Sequence, residues 1–198
     1  MFAPPKGVPQ GFARAFRGFR RGYAASGTHN LAEMHFVDEA EIREAVASVV
    51  AEHSRRILER LPSAEIHHVG ATAVPGALTK GDVDLALRVD RHEFLTSCVE
   101  LGCVYLVHQP ENWTPTYASF SDPQAGDPPV GVQLVVRESP DDLLFVALRD
   151  LLRSDPDLLA AYNDLKREHE GSPYDDYTDA KERFWEPVLA RLRESPHS

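Results

Sequence analysis

The sequence predicts an α+β fold, a mixed β-sheet with flanking helices and a helical C-terminal region. Three observations lead to this fold class. Apolar residues recur at helical spacing before residue 62, and large apolar residues occupy every other position over 83–89. Helical patterns that begin with proline fill the end of the chain. The predicted elements follow the order helix, strand, strand, helix, three strands and three helices.

The first predicted helix begins at Asp38, with Glu41 as its capping-box partner, and ends before Pro62. A strand over residues 64–69 follows and runs directly into Gly70. This order predicts that the small-residue segment after Gly70 is a tight turn at the end of a strand.

The second predicted strand covers residues 83–89, where apolar residues occupy every other position. The alternation extends back by one residue, so Asp82 and Asp84 are expected on the same face. A short helix then begins after Asp90 and ends at Gly102.

Three further strands are predicted over residues 104–108, 116–120 and 130–136. Two helices start where a capping side chain precedes proline, at Ser139-Pro140 and Asp155-Pro156. A last helix is predicted from Thr178. Four aromatic residues of this region are interpreted as core side chains rather than as a platform for a nucleobase: Tyr162, Tyr174, Tyr177 and Trp185.

The composition is typical of globular proteins, since 42% of the 198 residues are hydrophobic and 26% are charged. No run approaches the roughly 18 consecutive apolar residues of a membrane span, so no membrane partner is expected. The formal net charge of −10 argues against a broad attraction to nucleic acid. Two cysteines and an N-terminus without an apolar signal core lead us to expect a reducing, cytoplasmic location.

Positive charge is concentrated at the N-terminus, where residues 1–30 contain five basic and no acidic side chains. The segment also carries aromatic residues, among them Phe12, Phe16, Phe19 and Tyr23. It has two interpretations, a basic arm that binds RNA or an acidic protein surface, or a flexible extension. We favour the extension because terminal segments without packing partners are usually disordered. The expected organisation is a flexible basic leader over 1–33 and a single domain over 34–198.

The candidate site combines a turn of small residues at Gly70 with the strand that carries Asp82 and Asp84. Two carboxylates on one face can ligate a divalent cation, and the cation neutralises charge on a phosphate group. Small residues let backbone N–H groups approach phosphate oxygens. Spacing alone leaves open that the two aspartates form a solvated strand face. We favour the metal–phosphate site because the turn, Lys80 and the two carboxylates belong to one short segment.

This segment resembles the signature of the polymerase-β-like nucleotidyltransferase superfamily. The signature is glycine followed by a small residue, here Gly70-Ala71, and an Asp-apolar-Asp-apolar run, here residues 82–85. Within the superfamily, residues 68–76 and 79–85 resemble the hallmark of the GrpB family. Residues 148–153 are similar to a second motif of that family. The resemblance covers about residues 36–193.

The resemblance implies a nucleotidyltransferase-like fold and an enzyme that moves a nucleoside monophosphate from a nucleoside triphosphate to an acceptor, which the sequence does not identify. Asp82 and Asp84 are then the catalytic residues and the ligands of Mg²⁺ or Mn²⁺, and Gln133 is a candidate third ligand. The residues expected to contact the nucleotide or its phosphates are Gly70, Ala71, Thr72, Lys80, Arg149 and Lys166.

Three departures from the family pattern keep other functions open. Ala71 stands where the family has serine, Gly81 stands where it has proline, and the later strand offers Gln133 where related enzymes have a third carboxylate. One alternative is a catalytically degenerate nucleotide-binding protein. The other is an RNA or protein adaptor that works through the basic arm, the one route by which nucleic acid is expected to bind.

Overall fold

The computed structural model describes residues 33–122, 124 and 128–194. Apart from Glu33, the predicted leader lies outside the described residues. The described helices are α1 (Glu39–Leu58), α2 (Phe94–Gly102), α3 (Pro140–Ser154), α4 (Pro156–Glu168) and α5 (Tyr174–Glu194). The described strands are β1 (Val37–Asp38), β2 (Glu65–Val69), β3 (Leu78–Thr79), β4 (Val83–Val89), β5 (Leu106–His108), β6 (Tyr117–Ser121) and β7 (Val130–Val136).

Five strands form a mixed sheet in the order β2-β4-β7-β6-β5. The central pair β4 and β7 is parallel, and the remaining neighbours are antiparallel. The short strands β1 and β3 form a separate antiparallel ribbon. The predicted α+β class, with a mixed sheet and a helical C-terminal region, is confirmed.

The alternation predicted for β4 separates the two faces of the sheet. Val83, Leu85 and Leu87 are fully buried in the core that the sheet shares with α1 and α2. Residues at alternating positions, among them Asp84 and Ala86, lie on the other face, where α3 packs. Burying one face thus fixes the direction in which the carboxylate of Asp84 points.

Capping side chains begin three helices where the sequence predicts them. Asp38 accepts a hydrogen bond from the Ala40 amide, Ser139 accepts one from Asp142, and Asp155 accepts one from Leu158. The last helix begins at Tyr174, four residues earlier than predicted, and Pro187 lies inside it.

The C-terminal helices build a second apolar cluster with the loop after β2. Val74 and Ala77 of that loop pack with Leu152, Tyr162 and Trp185. The candidate site therefore lies between the sheet and a helical layer. Among the described residues, none of the helices combines the length and apolarity needed to cross a membrane.

Candidate active site

The turn after β2 begins at Gly70, whose φ of 75° and ψ of −172° lie in a region open essentially to glycine alone. A Cβ atom at this position would lie 2.5 Å from Oδ2 of Asp84. Glycine is therefore required both for the backbone conformation and for the close approach of the turn to the carboxylate.

Asp84 lies near the start of β4, between Val69 of β2 and Gly131 of β7. A Cβ atom on Gly131 would lie 3.1 Å from Oδ1 of Asp84, so glycines flank both carboxylate oxygens. Asp82 and Asp84 line the same cavity, which has a volume of about 150 Å³. The structure thus brings together the two predicted aspartates and the predicted turn.

Lys80 forms an ion pair with Asp82, with 3.0 Å between Nζ and Oδ2. The two side chains are 29% and 30% exposed, so the pair lies at the open side of the cavity. Although burial opposes ionisation, the ammonium group keeps the pKa of Asp82 below its usual value, and the carboxylate raises the pKa of Lys80.

The pKa of Asp84 is shifted in the opposite direction to that of Asp82. Burial, together with the negative charge of Asp82, raises the pKa of Asp84 to about 7. An added cation would relieve this unfavourable charge, so the pair of aspartates has the electrostatics of a cation site.

Lys166 is 1% exposed, and its ammonium group lies 4.0 Å from the ring centroid of Tyr162 and donates to the carbonyl of Leu78. Burial lowers the pKa of Lys166 to about 7. Lys181 also lines the cavity, and burial with the nearby charge of Lys80 lowers its pKa to about 8. A bound polyanion would favour the protonated forms of both lysines.

Lys181 was not among the residues predicted for the site. A sequence signal for it exists, because Tyr174, Tyr177 and Lys181 are spaced by three and four residues and so share one face of α5. All three line the cavity.

Arg149 lies on α3, lines the cavity and donates to the carbonyl of His68. Arg153, one turn later, instead binds the carbonyl of Ala73 and supports the turn after Gly70. Arg149 and Lys166 therefore reach the cavity from two helices, α3 and α4, rather than from one helical surface.

Thr72 does not line the cavity, contrary to the expected phosphate contact. Its hydroxyl donates to the carbonyl of Asp82 at 2.9 Å and lies 3.0 Å from Nε2 of His68, and the residue is 3% exposed. Because the hydroxyl is used inside the fold, Thr72 fixes the backbone at Asp82. Ala71 does line the cavity but has no hydroxyl to offer.

Gln133 lines the cavity beside Asp84, at the position where a third carboxylate was sought. Its Oε1 accepts a hydrogen bond of 2.7 Å from the Tyr117 hydroxyl, and its Nε2 lies on the side of Asp84, because a Cβ atom on Gly131 would be close to both Nε2 of Gln133 and Oδ1 of Asp84. Within the described part of the chain, one group of three ligand-type side chains occurs, Asp90, His92 and Glu93, after the far end of β4. Asp82 and Asp84 thus lack a third carboxylate there.

Comparison with known proteins identifies the family. A family model described as GrpB protein matches residues 37–191, most of the chain. The chain belongs to the GrpB family. A UPF0157 protein of Vibrio cholerae is 28% identical over 159 residues, which cover 80% of this chain and 83% of the relative.

The chain is also similar to proteins of known structure. The conserved protein GrpB from Enterococcus faecalis aligns with a TM-score of 0.60 and 19% identity, over 76% of this chain and 96% of the other, and the two share a fold. The MgGTP-bound Cid1 poly(U) polymerase aligns with a TM-score of 0.43 and 14% identity, over 63% of this chain and 41% of the polymerase. The predicted membership in the GrpB family is confirmed.

The four aromatic residues predicted to be core side chains are buried in this GrpB protein: Tyr162, Tyr174, Tyr177 and Trp185. They also line the inner part of the cavity. The Tyr162 ring lies 5.0 Å from that of Trp185 in an edge-to-face arrangement, so packing fixes its position. These four side chains therefore belong to the core and also form part of the cavity surface.

The donor set fits a hard divalent cation. Asp82 and Asp84 supply carboxylate oxygens, the ligands that Mg²⁺ and Mn²⁺ prefer. Burial and the charge of Asp82 raise the pKa of Asp84 even with Lys80 beside the pair, so a bound cation would favour the ionised carboxylate. Because Gly70 and Gly131 have no Cβ atom, neither residue crowds the oxygens of Asp84.

Proposed function

We propose that this protein is a metal-dependent nucleotidyltransferase that moves a nucleoside monophosphate from a nucleoside triphosphate to an acceptor. The observation that carries the proposal is the meeting of Asp82 and Asp84 with the Gly70 turn in one cavity. The backbone N–H groups of a turn of small residues can bind phosphate oxygens, and two carboxylates beside the turn can bind a cation at the same place.

The charges of the cavity suit a polyanion. Four basic side chains line it against the two aspartates: Lys80, Lys166, Lys181 and Arg149. Arg149 carries a permanent charge, and a bound triphosphate would favour the protonated forms of Lys166 and Lys181, whose pKa values are lowered to about 7 and about 8. Substrate binding would thus add negative charge beside the buried lysines.

In this proposal Asp82 and Asp84 hold Mg²⁺ or Mn²⁺, which supplies Lewis-acid stabilisation of charge on the phosphoryl group and the departing pyrophosphate. Lys80 keeps Asp82 ionised at neutral pH and offsets phosphate charge. Thr72 and Arg153 hold the backbone of the turn and of Asp82 in place. Positioning and charge compensation are the contributions of the chain itself.

A second candidate function is nucleotide binding without turnover. The observation that favours it is Gln133, an uncharged amide beside Asp84 where related enzymes use a third carboxylate. The cavity would then bind the triphosphate and metal without completing the transfer.

The two candidates separate in an assay with the full chain, each of the four common nucleoside triphosphates, and MgCl₂ or MnCl₂. Transfer predicts metal-dependent nucleotide binding and release of pyrophosphate, both lost in Asp82→Asn and Asp84→Asn. Binding without pyrophosphate release supports the second candidate. Absence of metal-dependent nucleotide binding contradicts both.

A further inference from the structure

The amide of Gln133 has a defined orientation beside Asp84. Its Oε1 accepts from the Tyr117 hydroxyl at 2.7 Å, which leaves its nitrogen at the other side of the amide. The Gly131 position confirms the direction, because a Cβ there would lie 3.1 Å from Oδ1 of Asp84 and 3.5 Å from Nε2 of Gln133. The nitrogen of the amide therefore faces the carboxylate.

This orientation follows from donor and acceptor chemistry. An ionised carboxylate only accepts hydrogen bonds, so it requires the NH₂ group of the amide, and the carbonyl oxygen is left for the Tyr117 hydroxyl. Tyr117 is 3% exposed and stacks on Phe145 with 6.2 Å between ring centroids. The hydroxyl cannot move away easily, and the amide NH₂ offers no lone pair to a cation. Gln133 thus adds no ligand oxygen beside Asp84.

Asp82 has little capacity for additional cations. The Lys80 ammonium group lies 3.0 Å from its Oδ2 and already supplies one positive charge to the pair of aspartates. Two divalent cations about 3.5–4 Å apart, as in two-metal sites, repel strongly and depend on shared anionic ligands. Few such ligands are present here. Asp82 is already paired with Lys80, and among the described residues no third carboxylate joins the two aspartates.

We propose that the aspartate pair binds a single divalent cation rather than a pair of cations, because Gln133 turns its NH₂ group, and not its carbonyl oxygen, toward Asp84. The inference rests on the proposed metal site and specifies how many cations that site holds. A carboxylate at position 133 would supply the missing anionic oxygen.

The test is a titration of the full chain with Mn²⁺ alone, in which electron paramagnetic resonance counts free and bound ions. One tightly bound Mn²⁺ per chain is expected, lost in Asp84→Asn, with no exchange coupling between ions. Two coupled ions bound by the unaltered chain would overturn the inference but leave the proposed function standing. No bound Mn²⁺ would overturn both.

Gln133→Glu tests the cause of the stoichiometry. The variant is expected to bind a second Mn²⁺ and to give a spin-coupled spectrum, since two ions would share carboxylate ligands. The control is Gln124→Glu, which adds the same charge at an exposed position outside the cavity and should still bind one ion. A Gln133→Glu chain that binds a single ion would overturn the assignment.

Discussion

Asp84 illustrates how single residues set the chemistry of the cavity. Its oxygens lie against two glycines, Gly70 and Gly131, so the backbone of the turn and of β7 approaches the carboxylate as closely as atoms allow. Any larger residue at either glycine would push the carboxylate or the chain aside. The site thus depends on the absence of side chains at positions 70 and 131 as well as on the two carboxylates.

Gly70→Ala is expected to weaken Mn²⁺ binding by tenfold or more, because its Cβ would displace the carboxylate of Asp84. Gly171→Ala is the control, since Gly171 also has a positive φ, 74°, but open space around it. Both variants should lose about 1–2 kcal/mol or more of stability from backbone strain. Equal Mn²⁺ affinities in the two variants would contradict the role of the close approach.

His68 is expected to make stability fall on acidification. Burial and the charges of Arg153 and Arg149 lower its pKa to about 4, whereas an unfolded histidine has a pKa of about 6.5. The unfolded chain therefore binds the proton first, and stability decreases between about pH 6.5 and pH 4. Urea unfolding of His68→Gln across this range should show a smaller decrease than the unaltered chain. An unchanged pH dependence would contradict the prediction.

Alternation along one strand predicted the two aspartates, whereas Lys181, which depends on tertiary packing, was missed. Asp82 and Asp84 share a face because a strand repeats every two residues. Lys181 reaches the same cavity because α5 packs against α4 and the loop after β2; its spacing from Tyr174 and Tyr177 places it on one helix face but does not indicate what that face contacts. Thr72 was expected to face a phosphate, but local hydrogen bonding to Asp82 turned its hydroxyl inward.

At the scale of elements, α3 is attached to the sheet by an ion pair. Arg88 on β4 donates two hydrogen bonds to Asp142 in the first turn of α3, and the Asp142 side chain is 1% exposed. Asp142 also accepts from the backbone amide of Glu138. The pair holds the helix that carries Arg149 across the face where Asp84 lies.

Asp142→Ala is expected to lower the free energy of unfolding by about 2–3 kcal/mol, since Arg88 loses a buried partner and keeps only Glu65. The control is Asp164→Ala, which breaks a pair with Arg167 whose side chains are 66% and 61% exposed. That change should cost less than about 0.5 kcal/mol. Equal losses in the two variants, measured by denaturant unfolding, would contradict the structural role of Asp142.

Most elements could be predicted because their ends carry chemical signals. Asp38, Ser139 and Asp155 all cap helices as expected. The ribbon of β1 and β3 could not be predicted, because strands of two residues are too short to show a period and form only when paired. The early start of α5 at Tyr174 had a local signal in the acidic residues of its first turn, which the prediction did not use.

At the scale of the whole molecule, the cavity lies between the sheet and the C-terminal helices. Its walls come from the strands at Asp84 and Gln133 and from α3, α4 and α5. A ligand held between these layers stabilises the folded chain by mass action, by about 2.7 kcal/mol at a hundred times its dissociation constant. For a chain of this size, that corresponds to a rise of roughly 5–10 °C in the melting temperature.

The most direct test of the proposed metal–nucleotide site is a thermal melting series at pH 8 that compares the unaltered chain with Asp84→Asn in EDTA, in Mg²⁺, and in Mg²⁺ with a non-hydrolysable nucleoside triphosphate. We expect Mg²⁺ with nucleotide to raise the melting temperature of the unaltered chain and to leave that of Asp84→Asn unchanged. In EDTA, Asp84→Asn should melt slightly higher, because a pKa of about 7 means that ionising Asp84 destabilises the folded state above the pKa of an unfolded aspartate. The same nucleotide-dependent rise in both chains, or a lower melting temperature of Asp84→Asn in every buffer, would contradict the proposal.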